Sequence, residues 1–366
     1  MKRALIIIGI GLGVAAALGV CGNYGATLYY AAGHGSSCAD CHEMTMDVSA
    51  VHGSPHYNAQ CTDCHEATLG TKLRHIRAHL FRGHQDGTQE SIRLREADVR
   101  AMMTNCQRCH QHEYASWHAG PHSANYGDIF TNAAHNTKRR LMDDCFRCHG
   151  MYFEGGMRDL VQPQDLRGPW RLTRPALASE PTIPCQACHW IHREGQAQSK
   201  VNGGGAITTP AIRDSLAFYD RREQMHFRAA SLALPQLYDG ARLLKVSPDP
   251  RQGLCYQCHA PRQNDTESLA AKNNWGPQAG SGDDRTPMGV HEGLSCFACH
   301  GGHNEDPRAS CANCHPAMSH CGIAVEKMDT TFANTKSAHN IHWVKCTDCH
   351  QHGVPKVKTN TLSAGQ

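Results

Sequence analysis

The chain repeats a Cys-x-x-Cys-His pattern nine times, beginning with Cys38-Ala-Asp-Cys41-His42. This pattern is the signature of covalent haem attachment, in which two thiols bond the porphyrin and the histidine binds its iron. With this many Cys and His residues, chance alone would give about 0.08 copies. Zinc sites or disulfide pairs would not require a histidine after every second cysteine. The sequence therefore predicts nine covalently bound haem c groups.

The motifs use eighteen of the twenty cysteines and leave only Cys21 and Cys321. The predicted attachment residues are Cys38, Cys41, Cys61, Cys64, Cys106, Cys109, Cys145, Cys148, Cys185, Cys188, Cys255, Cys258, Cys296, Cys299, Cys311, Cys314, Cys346 and Cys349. The predicted proximal iron ligands are His42, His65, His110, His149, His189, His259, His300, His315 and His350.

A six-coordinate haem needs a second axial ligand, which is usually His or Met. The chain has 27 histidines, so eighteen remain after the motifs are counted. Met44, two residues past His42, is the predicted sixth ligand of the first haem, with Met46 as its competitor. The predicted distal histidines are His56, His122, His135, His192, His291, His303, His320 and His342, with His118 and His339 as rivals. His192 follows His189 so closely that we expect it to bind a neighbouring iron.

Hydrophobic content is 40% and aromatic content is only 6%, which is thin for a protein core of this size. Nine porphyrins would supply the missing apolar mass. The predicted fold is therefore mainly α with much loop, a multihaem cytochrome c with short helices around a core of stacked haems. The net charge of +3 is close to balance and does not indicate nucleic-acid binding.

The N-terminus is Met1-Lys2-Arg3, followed by an apolar run from Ala4 to Cys21 with no further charge until Asp40. The uncharged stretch of over thirty residues before Asp40 exceeds the roughly 20 residues that span a bilayer. Residues 1–33 are predicted to form a cytoplasmic tip and a single transmembrane anchor, oriented by the positive-inside rule. The alternatives are a cleaved secretory signal and a lipoprotein lipidated at Cys21. All three place the haem region on the periplasmic or extracytoplasmic side.

The element from Cys38 to Met44 follows the apolar span directly, and His56-Tyr57 comes shortly before Cys61-Thr-Asp-Cys64-His65. Further on, Met102 and Met103 precede the third motif. These features resemble the NapC/NirT/NrfH family of membrane-anchored quinol dehydrogenases. The resemblance covers roughly residues 1–150. It implies a tetrahaem region at 34–150, a quinol beside the first haem and Met44 as that haem's ligand.

The same resemblance implies a basic residue beside the quinol. Lys72, Arg74 and Arg77 follow the second motif on a predicted helix from Leu69 to Arg82. Lys72 and Arg77 are the candidates for this role, and Asp86 is the candidate acceptor of the protons that quinol oxidation releases. The alternative is a basic face that lies on phospholipid headgroups.

The remaining five motifs define a pentahaem region at 151–353, which loosely resembles multihaem cytochromes of the nitrite and hydroxylamine type. Residues 196–254 carry no motif. Within them, apolar residues at helical spacing predict a long helix from Ala211 to Leu234, and hence a helical insert. The close spacing of motifs between His291 and His350 predicts haems in near contact. Residues 354–366 are predicted to form a mobile tail.

Together these features predict a membrane-anchored nonahaem c-type cytochrome. It would pass electrons from membrane quinol along a haem wire to a periplasmic or extracytoplasmic redox partner protein, alone, as a homo-oligomer or as a complex subunit. One alternative is a terminal reductase of nitrite, hydroxylamine or a sulfur oxyanion. The lack of a Cys-x-x-Cys-Lys motif and the abundance of spare histidines count against it. The other alternative is a tethered electron carrier without quinol chemistry.

Overall fold

The computed structural model describes residues 2–31, 38, 40, 44–65, 68, 70–71, 73–74, 77, 81, 94–137, 141–193, 212–239, 241–259, 285–303, 306–315, 324–350 and 352–353. Several predicted features lie outside these residues, namely Cys41, His42, Lys72, Asp86, His320, Cys321 and the tail 354–366. For Cys349 only the backbone is described. The chain divides into two compact units, Met1–Leu232 and Ala233–Gln366.

Helices are the main regular element in both units. The first unit contains helices Lys2–Ala31, Thr45–His52, Cys61–Cys64, Glu96–Cys109, Gln111–Ala119, Tyr126–Phe130, Ala133–Asn136 and Met157–Leu160. The second contains helices Gln252–Cys258, Cys296–Cys299, Arg308–Cys311 and Cys346–Cys349. Short 3-10 helices occupy Pro121–Ser123, Asp143–Arg147, Pro175–Leu177, Cys185–Ala187, Ile191–Arg193, Ala229–Ser231, Gly289–His291 and Val325–Lys327. The chain is thus largely helical with much loop, as predicted, while the stacking of haems stays a prediction.

In the described part of the chain, three antiparallel strand pairs complete the regular structure. Strand β1 (Val161–Gln162) pairs with β2 (Arg171–Leu172), β3 (Ala217–Asp220) with β4 (Met225–Arg228), and β5 (Tyr238–Asp239) with β6 (Arg242–Leu243). Each of these sheets has two strands, and all three lie between haem motifs in the sequence.

The first helix, Lys2–Ala31, contains the stretch Leu5–Ala26, which is long and apolar enough to span a membrane. Near its C-terminal end, the Tyr29 hydroxyl donates a hydrogen bond to the Asp40 carboxylate at 2.7 Å. Asp40 lies inside the first haem motif. The end of the apolar helix is therefore fixed directly to that motif.

The first unit contains a conventional protein core, which the composition did not lead us to expect. Its buried members are Tyr126, Phe130, Leu141, Phe146, Phe153, Met157, Leu160, Val161, Trp170 and Leu177. Five of these ten residues are aromatic. This core includes residues on both sides of position 150, so the predicted limit of the tetrahaem region is not a packing boundary.

The helix predicted from Ala211 to Leu234 is wrong, because the described part of this segment forms the β3–β4 hairpin. Its four-residue connection is closed by Asp220, whose Oδ1 accepts the backbone N–H groups of Arg222 at 2.7 Å and Glu223 at 3.2 Å. Gln224 then adopts a positive φ of 55°. Such aspartate turns compete with helix formation. Of the apolar residues that matched a helical period, Tyr219 lies in β3 opposite His226, and Phe227 lies in β4 opposite Phe218.

Candidate haem-binding sites

Eight motifs have a histidine that the structure describes, and all eight form the same turn. In each, the histidine backbone N–H donates to the carbonyl of the first cysteine, at N···O distances of 2.8 to 3.0 Å. This bond closes one helical turn, and residues three and four apart in a helix share a face. Both cysteines and the histidine therefore point to one side, as attachment to a single porphyrin requires. Among the cysteines whose side chains the structure describes, none forms a disulfide.

The sequence around several motifs begins this turn by side-chain capping. Asp63 accepts the backbone N–H of Gln60 at 2.8 Å, and Asp348 accepts that of Lys345 at 2.8 Å. At the seventh motif, the hydroxyl of Ser295 accepts the N–H of Phe297 at 3.2 Å. These bonds satisfy amide groups that have no partner within the short helix.

Four motif histidines each have a second histidine ring at a nearly constant centroid separation, and we call these four the facing pairs. The ring centroids are 5.9 Å apart for His110 and His56, 5.8 Å for His65 and His192, 6.3 Å for His315 and His291, and 6.2 Å for His300 and His342. Two imidazoles that bind one metal from opposite sides at about 2 Å each hold their centroids roughly 6 Å apart. The spacing therefore fits an iron between each pair.

All four facing histidines belong to the predicted distal set, and three of them have their second ring nitrogen occupied. Nδ1 of His192 lies 3.1 Å from an Asp47 carboxylate oxygen. Nδ1 of His291 lies 3.1 Å from the Ile341 carbonyl. Nδ1 of His342 lies 3.1 Å from Asn340 Oδ1. A hydrogen bond at Nδ1 selects the tautomer in which Nε2 is available to a metal, an arrangement typical of metal-binding histidines.

The other predicted distal residues occupy several short elements. His122 lies in the 3-10 helix Pro121–Ser123, His135 in the helix Ala133–Asn136, and His303 in a turn after the seventh motif. Among the rivals, His118 stacks on Tyr114 at 5.9 Å, and the His339 backbone N–H donates to the Ser337 hydroxyl at 3.0 Å. Which irons these residues serve stays a prediction.

Cysteines of different motifs also approach one another. A hydrogen bond with Cys38 lowers the pKa of the Cys61 thiol to about 6. A hydrogen bond with Cys185 raises the pKa of Cys106, and one with Cys255 raises that of Cys296. In the mature protein these sulfurs would be thioethers and would not titrate. The contacts are therefore used only to show which motifs lie close together. They place the first motif beside the second, the third beside the fifth, and the sixth beside the seventh.

Further hydrogen bonds connect other motifs. Asn105, just before the third motif, donates to the Cys64 carbonyl of the second at 2.9 Å. Tyr152, just after the fourth motif, donates to the Gln186 carbonyl inside the fifth at 3.1 Å. In the second unit, the Ser310 hydroxyl donates to the Cys299 carbonyl at 2.8 Å and joins the eighth motif to the seventh. Motifs one to five thus form one contiguous set, and motifs six to eight form another.

The residues implied for a quinol site are only partly described. Met44 is half-buried and lies at the N-terminal end of the helix Thr45–His52. Arg77 is exposed. Arg74 is bound by Asp98 in a two-pronged ion pair, with N···O distances of 2.8 and 2.9 Å. Of Arg74 and Arg77, the two basic residues of this segment that the structure describes, Arg77 is the exposed one.

Sequence reasoning missed the residues that hold the distal histidines. Asn340 could have been found, because an Asn two residues before a His commonly bonds to it locally. Asp47 lies far from His192 in sequence, and no local signal connects the two.

His226 has a different role from the residues that hold the distal histidines. It is buried, its Nε2 lies 2.9 Å from the Gln186 carbonyl, and burial lowers its pKa to about 4. It therefore braces the fifth motif.

A comparison with known families gives one match, to cytochrome c554 and c-prime, over residues 105–168. These residues contain the third and fourth haem motifs and much of the aromatic core. The match supports a c-type cytochrome with covalent haem c and a role in electron transfer. No curated protein and no solved structure matches the chain. The NapC/NirT/NrfH assignment and the number of nine haems stay predictions.

Proposed function

We propose that this protein is a membrane-anchored nonahaem cytochrome c, which passes electrons from membrane quinol to a periplasmic or extracytoplasmic redox partner. The observation that carries the proposal is the set of four facing histidine pairs, each spaced for one iron. Bound haem supplies the one-electron iron couple. The residues of the chain supply the axial ligands, the spacing between sites and the local polarity.

The facing pairs support a proposed assignment of four distal ligands. His192 serves the second haem, His56 the third, His342 the seventh and His291 the eighth. Each distal histidine lies outside the motif whose iron it binds. The ligands therefore tie segments from different parts of the chain to one another, and with each iron they hold neighbouring haem sites close together.

Contacts between motifs give the path that electrons would follow. In the first unit the path runs through motifs one, two and three to motif five, with motif four beside it, because these motifs touch through Cys38, Asn105, Cys185 and Tyr152. In the second unit it joins motifs six, seven and eight. Electron transfer slows steeply with distance, so motifs in contact favour conduction over isolated redox centres.

The membrane end of this path is the first motif. The apolar stretch Leu5–Ala26 and the bond from Tyr29 to Asp40 support an anchor that holds this motif near the bilayer surface. A quinol dissolved in the membrane would meet this haem before the others. Met44 would raise its potential relative to haems with two histidine ligands, which suits the site that first receives electrons.

Quinol oxidation is tested with the full-length, detergent-extracted protein carrying its haems. We expect a menaquinol analogue to reduce it, measured as growth of the reduced haem absorbance bands. Reduction of the same sample by dithionite serves as the control that the haems are accessible and redox-active. A sample that dithionite reduces but the quinol does not, even with its redox partner added, would contradict the proposal.

Replacing Met44 by leucine tests the ligand of the first haem. We expect Met44→Leu to change the midpoint potential or spin state of one haem while the protein mass still shows every covalent haem, since Cys38 and Cys41 remain. Met46→Leu is the matched control and should leave both properties unchanged. An unaltered spectrum and potential in Met44→Leu would show that Met44 does not bind iron.

A further inference from the structure

Three of the distal histidines in the facing pairs differ in the group that contacts their Nδ1 atom. His192 is held by the carboxylate of Asp47, whereas His291 and His342 are held by neutral oxygens, a carbonyl and an amide. The three contacts have the same length, 3.1 Å, so they differ mainly in charge. Among these three histidines, the one with a charged partner is assigned to the second haem.

From this contrast we propose that Asp47 is a positioning residue that lowers the reduction potential of the second haem through His192. The proposal rests on the ligand assignment made under the proposed function. A carboxylate that accepts the Nδ1–H of an imidazole makes that imidazole a stronger electron donor to its metal. The ferric haem carries one more positive charge than the ferrous haem, so this donation stabilises the ferric form.

The backbone around Asp47 supports a fixed, negatively charged group. Asp47 lies in the first turn of the helix Thr45–His52, where the aligned peptide dipoles favour negative charge. This helix packs against the turn Ile191–Arg193 that carries His192. Both side chains are largely shielded, with exposed fractions of 32% for Asp47 and 28% for His192. The contact is therefore a half-buried hydrogen bond between side chains of two packed elements.

The consequence concerns the order of potentials along the path. The first haem, with Met44, would have a raised potential, and the second would be lower than the seventh and eighth, whose distal histidines have neutral partners. Hydrogen bonding to axial ligands is one of the main means by which a protein sets haem potentials. Asp47 lies five residues after His42 and three after Met44, so one short segment would act on the first and second haems in opposite directions.

The test is a redox titration of the haem-loaded, full-length protein, followed by optical and electron paramagnetic resonance spectra. We expect Asp47→Asn, which keeps an oxygen near Nδ1 but removes the charge, to raise one midpoint potential. The expected change is at least tenfold in the equilibrium constant, about 59 mV for one electron. Asp47→Glu keeps the charge and should restore the original potential. In a His192→Ala background, Asp47→Asn should have no effect on any potential.

The reverse substitution is available at the seventh haem. Asn340→Asp places a carboxylate against His342, so it should lower one potential by a similar factor. Unchanged or lowered potentials in Asp47→Asn would overturn the proposal, as would an effect that persists without His192. If Asp47→Asn does not accumulate with its haems, an unchanged set of potentials in Asn340→Asp overturns it instead. The titration uses chemical mediators, so a protein that fails to oxidise quinol but shows these shifts contradicts only the quinol assignment.

Discussion

Replacing His192 by alanine is expected to convert one haem from low spin to high spin while every haem stays covalently attached. His192 would supply the sixth ligand of the second haem, and its removal opens one axial position on that iron. Cys61, Cys64 and His65 are unchanged, so attachment and the proximal bond persist. Electron paramagnetic resonance should show one new high-spin signal, and the protein mass should equal the wild type minus the lost side-chain atoms.

His112→Ala is the matched control for this change. His112 is exposed on the helix Gln111–Ala119 and is not among the predicted ligands. Its removal should leave all haems in their original spin states. An entirely low-spin spectrum for His192→Ala would show that this residue does not bind iron, and the 5.8 Å ring spacing to His65 would then need another cause.

The local chemistry of the sites could be predicted from the sequence, because it depends on neighbouring residues. The Cys-x-x-Cys-His spacing itself generates a helical turn with both thiols on one face, and residues such as Asp63 and Asp348 cap it. His192 was expected to serve a neighbouring iron, and the structure brings it beside His65. That it binds the iron there stays a prediction.

The pairing of histidines could not be predicted, because it depends on contacts between distant segments. His56 meets His110, and His192 meets His65, only after the intervening chain has folded. The prediction of a helix from Ala211 to Leu234 failed for a different reason. Its apolar spacing suited a helix, but the side chain of Asp220 offered the backbone a turn that the periodicity does not reveal.

The protein core raised a third kind of difficulty. A low aromatic content over the whole chain suggested that porphyrins replace a protein core throughout. The average concealed a local concentration between Tyr126 and Leu177, where aromatic side chains pack on one another. Amino-acid composition gives the number of apolar residues but not their positions in the folded chain.

Truncating Phe146 to alanine is expected to destabilise this core by about 3–5 kcal/mol, the usual cost of removing a fully buried aromatic ring. Phe146 is 0% exposed, and it stacks on Phe153 with ring centroids 5.0 Å apart and lies 5.6 Å from Phe130. The loss would be measured as a lower denaturant midpoint and as faster amide hydrogen exchange across residues 126–177.

Phe297→Ala is the control, since Phe297 occupies the same position in the seventh motif as Phe146 does in the fourth. Both rings lie under an arginine at similar distances, 4.7 Å for Arg221 over Phe146 and 4.4 Å for Arg251 over Phe297. Phe297 is only half-buried, so its truncation should cost about 1 kcal/mol. Equal losses at the two positions would contradict the burial argument.

The comparison separates two ways of holding a haem motif in place. The fourth motif is set into a protein core through its own phenylalanine, so loosening that core should also shift the spectrum or potential of the fourth haem. The seventh motif is held mainly by polar contacts, among them the bond from the Cys296 backbone N–H to Gln252 at 3.0 Å. Phe297→Ala should therefore leave its haem unchanged. A core-anchored site would depend on packing, and a polar-anchored site on hydrogen bonds.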